Sequence, residues 1–270
     1  MNTTQSARTV AIVAIALGGV IGVGSIASAA ASTLASGTHE TTSRTAGVTG
    51  VDELSVDMSA GSIRVEFGDV AEAQLTVTGG RSADRWELRK DGTELRVASP
   101  NRHFWWWGGW FGGGDGNGDA VLTLPQSLSG LDADLDSSAG SLTADGDFGE
   151  LSVSSGAGRV RVDGSADSVT ADISAGRADL QLADVRSAEL DLSAGDMNAT
   201  FTGMQPERLQ LTASAGSMRV TVPEGPYAVT QETAAGTFDN RIGSVPGAAS
   251  TVQVDVSAGT ITLLSGRERP

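Results

Sequence analysis

Hydrophobic and polar residues alternate one by one along most of the chain beyond residue 50, and the alternation changes phase at a recurring glycine. In the unit around Gly176 the apolar positions are Val169, Ala171, Ile173, Ala178, Leu180 and Leu182. Strict alternation predicts short strands that bury one face. The change of phase predicts a corner at the glycine, which tolerates positive φ and lets the chain keep the same face inward.

The corner glycine belongs to a repeat, usually Ser-Ala-Gly. The predicted corners are Gly61, Gly140, Gly158, Gly176, Gly195, Gly216, Gly236 and Gly259. From Gly140 onward the spacings lie between 18 and 23 residues. Two strands of this length cannot bury an apolar face alone, whereas stacked units share one core. We therefore predict an all-β fold, a right-handed parallel β-helix or β-solenoid, over residues 50–265. An antiparallel sandwich explains the alternation but not the recurring corner.

The stretch between Gly61 and Gly140 is less regular. Strand-like runs occur at residues 74–78, 86–89, 94–98 and 121–124. The pattern here fits either degenerate coils or an inserted hairpin.

The N-terminal 31 residues differ from the rest of the chain. Arg8 is followed by an uncharged stretch, Val10–Ala31, which is long enough for a membrane-spanning helix but rich in alanine and glycine. It predicts a hydrophobic helix that is either a cleaved signal peptide or a retained anchor, and both place the bulk of the chain outside the cytoplasm. Residues 32–49 are predicted to be a linker, and residues 266–270 a tail.

Two motifs outside the repeat add a family resemblance. The run Asp-Gly-Thr-Glu-Leu-Arg-Val at Asp91–Val97 and the run Val-Leu-Thr-Leu-Pro at Val121–Pro125 precede the ladder of Ser-Ala-Gly units. Together they resemble a bacterial family of domains of unknown function whose members are described as candidate adhesins. The resemblance implies a right-handed β-helix at the cell surface, and it implies no catalytic residues.

Acidic residues recur four positions before the corner glycines. They are Asp57, Asp136, Asp172, Asp191, Glu232 and Asp255. In a stack they form a column that faces solvent, with Asp172 beside Asp191 on adjacent coils. Three residues after the corners, Arg161 precedes Asp179 and Arg219 precedes Asp239, which predicts ion pairs between successive coils. The acidic column either keeps a long β-surface soluble or binds calcium or a basic partner.

An aromatic segment interrupts the pattern within residues 101–119. It contains Trp105, Trp106, Trp107 and Trp110, followed by consecutive glycines. Three consecutive tryptophans cannot all point to one side of a strand. The segment is therefore either a cap over the solenoid or a contact loop for a membrane, a glycan or a protein.

Composition excludes several kinds of chemistry. The chain has no cysteine, two histidines and a net charge of -15, which argues against thiolate sites, zinc sites and nucleic-acid binding. Asp115, Asn117 and Asp119 are spaced like the start of a calcium loop, but the later ligand positions do not match. We predict no cofactor and no enzymatic activity, because the acids form a repetitive column rather than a unique cluster.

These patterns predict an exported, membrane-tethered interaction or scaffolding module, adhesin-like, whose partner is a protein, a glycan or a membrane. One alternative is a regulatory or sensing subunit of an envelope-stress system with a membrane partner. Another is a homo-oligomer that assembles through the solenoid ends. The final coil, Thr260–Leu264, has only a short charged tail beyond it to protect its edge.

Overall fold

The computed structural model describes residues 41–79, 83–100 and 118–266. Their regular structure is β-strand, apart from two single-turn 3-10 helices at Ala83–Arg85 and Gln126–Leu128. The strands are β1 (Thr41–Ala46), β2 (Glu53–Met58), β3 (Ser62–Gly68), β4 (Ala73–Thr78), β5 (Glu87–Asp91), β6 (Glu94–Ala98), β7 (Asp119–Pro125), β8 (Leu131–Ala183), β9 (Ser187–Thr202), β10 (Arg208–Pro223), β11 (Tyr227–Thr233), β12 (Thr237–Asn240), β13 (Ser250–Val256) and β14 (Thr260–Gly266). The predicted all-β class is confirmed. The predicted N-terminal helix lies outside the described residues.

The repeating unit is a coil that consists of a first strand, a corner and a second strand, and each coil is named after its corner glycine. β9 is the Gly195 coil, and it runs parallel to the end of β8 on one side and to β10 on the other. The three corners Gly176, Gly195 and Gly216 are Cα partners in register. Successive coils therefore stack about 4.8 Å apart as parallel strands, as the repeat predicts. The right-handed sense of winding stays a prediction.

The inward side chains of both strands in each coil form one core. In the Gly195 coil, the inward residues Leu190, Leu192, Met197, Ala199 and Phe201 are each at most 1% exposed. Full burial of a large apolar side chain contributes about 1.5–3 kcal/mol, and each coil supplies several. The period-two alternation is thus the main determinant of the fold.

The corner glycines are required by close stacking. The corners from Gly61 to Gly195 have φ between 107° and 138°. A Cβ on Gly176 would lie 2.1 Å from the carbonyl oxygen of Gly158 on the adjacent coil. The expectation of positive φ is wrong for the last three corners. At Gly259, for example, glycine is needed only because a Cβ would lie 2.5 Å from the oxygen of Gly216.

The last two coils are stacked in the reverse of their chain order. β13 lies between β10 and β11, and β14 lies between β10 and β12. The Gly259 coil is therefore internal, and the Gly236 coil ends the stack of described strands. The prediction that Thr260–Leu264 forms an open edge is wrong.

Polarity at the inward positions explains this order. Val254, Val256 and Leu263 of the Gly259 coil are fully buried. Their partners in the Gly236 coil are polar, namely Gln231, Thr233 and Asn240. Because a buried amide without a partner is costly, the polar coil lies at the end and the apolar coil lies inside.

The opposite end of the stack is closed by antiparallel strands. β6 and β7 form a further coil, parallel to β2 and β3. β5 pairs with β6, β4 pairs with β7, and β1 pairs with β4, all antiparallel. The irregular stretch between Gly61 and Gly140 thus contains both a coil and a hairpin.

β1 corrects the predicted linker, because Thr41–Ala46 is a strand. Its sequence does not show the alternation of apolar and polar residues that predicts a strand, yet its backbone pairs along the edge of β4. Arg44 pairs in register with the buried Leu75, and its guanidinium donates to the backbone oxygen of Asp84. Trp86 is fully buried at the same end. A charged residue on the inward side of an edge strand discourages further strand pairing.

Tyr227, the one tyrosine of the sequence, gives a pH-dependent test of the terminal coil. Its hydroxyl donates to the oxygen of Pro223 at 3.0 Å, and burial raises its pKa to about 12. The unfolded chain loses this proton near pH 10. Tyr227 therefore contributes stability below about pH 10 that is lost as the pH rises towards about 12.

In the folded chain we expect the tyrosinate absorbance to appear with a midpoint near pH 12, the pKa to which burial raises Tyr227. The alkaline loss of stability should be smaller in Tyr227→Phe. A midpoint at the ordinary tyrosine value in the folded chain would show that this end of the stack is open to water.

Candidate interaction surface

The outward side chains of the first strands form a surface that we call the acidic face. Its carboxylates are Glu53, Asp57, Glu94, Asp132, Asp134, Asp136, Glu150, Asp172, Glu189, Asp191, Glu232 and Asp255. On the described first strands, the basic residues of this face are Arg96 and Arg208. Every described coil contributes at least one carboxylate to this face except the Gly216 coil, whose outward residues here are Arg208, Gln210 and Thr212. Because carboxylates greatly outnumber arginines, the charge of the face is nearly all negative.

The predicted acidic column runs along this face. Asp172 and Asp191 are Cα partners on adjacent parallel strands, as predicted, and so are Glu232 and Asp255. Asp57 is also the Cα partner of Asp136. Asp172 is exposed and Asp191 is half-buried. Like charges in this arrangement repel each other, so the column is a source of weak destabilisation.

The outward side chains of the second strands form a contrasting surface, the mixed face. Three arginines pair with acids there, in the pairs Arg161–Asp163 (2.7 Å), Arg177–Asp196 (3.4 Å) and Arg241–Asp239 (2.8 Å). The hydrogen bond that Arg161 donates to the carboxylate of Asp163 raises the pKa of Arg161 above its ordinary value. These pairs are exposed, and each contributes little to stability.

Neither of the two inter-coil ion pairs predicted for this face is formed. Arg161 makes its hydrogen bonds to Asp163, two residues along its own strand, and not to Asp179. Arg219 and Asp239 are not neighbours, because Thr262 lies between them as the Cα partner of both. That second error follows from the reversed order of the last two coils.

The two faces predict opposite effects of removing one carboxylate charge. Asp191→Asn relieves repulsion with Asp172, and we expect it to raise the free energy of unfolding by about 0.3 kcal/mol at low salt. The gain should shrink as salt screens the pair. The measurement is urea denaturation at several salt concentrations.

The matched control is Asp196→Asn, which removes the partner of Arg177 on the mixed face. It should lower stability slightly at low salt. Equal effects of the two substitutions would contradict the difference between the faces.

The aromatic segment lies in the sequence between β6 and β7, where the adjacent coil has a glycine corner. Ala98 at the end of β6 is the partner of Asp57, and Asp119 at the start of β7 is the partner of Ser62. Residues 99–118 therefore connect the two strands where the next coil has its Gly61 corner. Ser99 is buried, and its hydroxyl accepts a hydrogen bond from the backbone N–H of Ser59 at 2.8 Å. This bond fixes the start of the connection.

The four tryptophans Trp105, Trp106, Trp107 and Trp110 lie outside the described residues, as do Asp115 and Asn117. Asp119 is described, and it accepts a hydrogen bond from the hydroxyl of Ser62. In the part of the chain that the structure describes, no group of three His, Asp or Glu side chains is arranged to hold a metal. The calcium loop stays a prediction.

Two of the surface clefts in the described part of the chain lie on the second-strand side. The larger, about 550 Å³, is lined by three threonines, Phe201 and Pro223, with Glu224 as its one carboxylate. The smaller, about 400 Å³, is lined by Glu66, Asp145 and Asp147. Both oxygens of Asp147 accept hydrogen bonds from serine hydroxyls, those of Ser129 and Ser165. Neither lining includes a histidine, lysine or arginine to complement a carboxylate.

Comparison with known protein families identifies the domain. The model of the Toastrack DUF4097 family, a family of domains of unknown function, matches residues 51–233. The chain belongs to the Toastrack DUF4097 family. The resemblance predicted from sequence is thereby confirmed. A search of curated proteins found no match.

Solved structures similar to this Toastrack domain come from bacteria. A candidate cell adhesion protein from Clostridium sporogenes is 10% identical, with 85% of this chain and 100% of that one covered, at a TM-score of 0.43. A candidate adhesin from Bacteroides fragilis is 15% identical, with 83% and 97% covered and a TM-score of 0.43. A candidate lipid binding protein from Parabacteroides distasonis is 14% identical, with 83% and 96% covered and a TM-score of 0.33.

The Toastrack match ends at Thr233, the last residue of β11. The Gly259 coil therefore lies outside the matched segment although it is inside the stack. Among the described residues, no helix is long and apolar enough to cross a membrane.

Proposed function

We propose that this Toastrack domain is a non-catalytic, adhesin-like interaction module that works outside the cytoplasm, tethered through residues 10–31 when these are not cleaved. Its contacts are the acidic face, including Asp172 and Asp191, and the loop that carries Trp105, Trp106, Trp107 and Trp110. The partner on the acidic face is a basic protein surface.

The asymmetry of charge between the two faces supports this proposal most strongly. Solubility alone would be served by interspersed charges of both signs, which is the arrangement of the mixed face. The acidic face instead places negative charges side by side on several pairs of adjacent coils, although these charges repel one another and destabilise the fold slightly. A surface of one sign attracts an oppositely charged partner and speeds its association.

The position of the aromatic loop supports a contact role. The described strands on either side of it, β6 and β7, meet the corner at which the acidic and mixed faces join. Tryptophans are favoured at protein interfaces and at membrane surfaces because they combine a large apolar ring with a polar N–H. We therefore assign this segment to the same contact surface as the acidic face.

Retention of the full chain on immobilised polylysine tests the acidic face. The variant Asp172→Asn/Asp191→Asn should be released at lower salt than the wild type. The matched variant Asp163→Asn/Asp196→Asn removes the same charge from the mixed face and should change retention less. Equal shifts would mean that net charge alone governs binding, which contradicts the assignment of a contact face.

Binding to phosphatidylcholine vesicles tests the loop. A full chain with all four loop tryptophans replaced by serine should bind vesicles more weakly than the wild type, which has the same residues 10–31, while it keeps the melting temperature of the wild type. A lower melting temperature with unchanged binding would identify the loop as a cap over the β6–β7 coil. That result would remove the loop from the contact surface without affecting the acidic face.

End-to-end self-assembly has less support than partner binding. The Gly236 coil presents polar residues at its inward positions, and the backbone of β11 is bonded along part of its outer edge by Ser244 and Val245. Arg44 protects the edge strand at the other end. Both ends of the described stack thus carry features that discourage further pairing.

A further inference from the structure

The Gly259 coil occupies a slot between β10 on one side and β11 with β12 on the other. In this slot Val254 is the Cα partner of both Leu211 and Gln231. Ile261 is likewise the partner of both Met218 and Phe238. Residues 250–266 therefore pair along both edges with strands that precede them in the chain.

Apolar burial and backbone pairing along both edges stabilise a coil in this slot. The inward residues of the coil are Val252, Val254, Val256, Ile261 and Leu263, all with 0% exposure. Without the coil, the inward faces of β10 and both flanking backbone edges would be open to water. Any segment that restored these contacts would restore the same stabilisation, and the segment that fits is residues 250–266 themselves.

The connection to this coil crosses over β11. The N–H of Val245 donates to the oxygen of Tyr227 at 2.8 Å, on the outer side of β11. Ser250 is the Cα partner of Tyr227 on the inner side. Residues 246–249 thus pass over the start of β11 and span two strand spacings, about 9.6 Å. Gly247, at φ 82°, forms part of this crossing.

From this geometry we infer that a second copy of the chain can supply the Gly259 coil, so that two copies associate by exchanging residues 250–266. The exchanged coil makes the same inward packing and the same registers as the coil of its own chain. Only the crossing segment, residues 246–249, differs between the closed monomer and the exchanged dimer. The balance between them is therefore set by the length of that segment and by protein concentration.

A chain that lacks Pro246–Ala249 tests this directly. Val245 and Ser250 become consecutive, with Cα atoms about 3.8 Å apart, which is too short to cross β11. We expect a dimer of twice the wild-type mass by light scattering, with unchanged β-sheet circular dichroism. The matched control replaces Pro246–Ala249 with four glycines, which keeps the length, and it should stay monomeric.

Disulfide trapping identifies the exchanged element, since the chain has no cysteine of its own. Thr212 and Asp255 are Cα partners on the acidic face. Full chains carrying Thr212→Cys and full chains carrying Asp255→Cys are refolded together at high concentration and oxidised. We expect a cross-linked heterodimer joined at these two positions, with a larger yield when both chains lack Pro246–Ala249. Chains carrying Thr212→Cys and Asp136→Cys, which are not partners, serve as the control mixture.

The inference is overturned if the shortened chain is a folded monomer or does not fold, because exchange would then fail to rescue it. It is also overturned if the full-length mixture yields no more cross-linked dimer than the control mixture. Neither result decides the proposed partner binding, because its tests change Asp172, Asp191 and the loop tryptophans, all of which lie outside residues 250–266.

Discussion

Gly176→Ala is expected to lower the free energy of unfolding by about 3–5 kcal/mol, although it adds a single methyl group. Two effects add at this corner. The backbone has φ 127°, a region that alanine rarely adopts, and the new Cβ would lie 2.1 Å from the oxygen of Gly158. Because the obstructing atom belongs to the backbone of a stacked coil, no side-chain rotation relieves the contact. Urea denaturation of the purified chain provides the measurement.

Gly130→Ala is the matched control for this substitution. Gly130 also has positive φ, at 88°, but nothing lies within 4 Å of the position of its Cβ. This variant should lower the free energy of unfolding by only about 1 kcal/mol, the cost of placing alanine at positive φ. Similar losses at the two sites would mean that the corners do not stack as closely as described.

Val254→Gln is expected to cost about 3–5 kcal/mol, from lost burial of the valine and from an amide without partners in the core. Val254 lies inside the stack with 0% exposure. Its register partner Gln231 lies on the terminal coil and is exposed. The pair therefore tests whether the Gly259 coil is internal.

The reciprocal variant, Gln231→Val, should leave the folded chain at least as stable as the wild type, because the side chain is already at the end of the stack. It should, however, increase association at high concentration by making the end coil apolar. If Gln231→Val were destabilising and Val254→Gln neutral, the two coils would have to be stacked in chain order. Thermal melting and light scattering distinguish these cases.

The periodic part of the fold was predictable from sequence because its signals are local. Alternation identifies the inward residues, and the constant offset from the corner glycine places Asp172 beside Asp191. The strand β1 was not predictable from this pattern, because Thr41–Ala46 has almost no apolar residues. Its stability comes from backbone pairing with β4, which no local pattern reports.

The order of the last two coils required a comparison between coils. Gln231 and Thr233 occupy positions where internal coils carry apolar residues. This difference is present in the sequence, and it indicates that their coil lies at the end of the stack. The ion pairs of the mixed face were harder to predict. Arg161 reaches Asp163 on its own strand, and the choice between that acid and Asp179 depends on side-chain rotamers rather than on register.

The reversed order of the last two coils also constrains how the chain matures. In synthesis or translocation from the N-terminus, the coils from the Gly140 coil to β10 emerge in the order in which they stack. Residues 227–240 then emerge before the coil that must separate them from β10. Until residue 266 is available, these residues have either no partner strand or an incorrect one. The final steps of maturation therefore cannot proceed vectorially, and this is the stage at which chaperones would have most to protect.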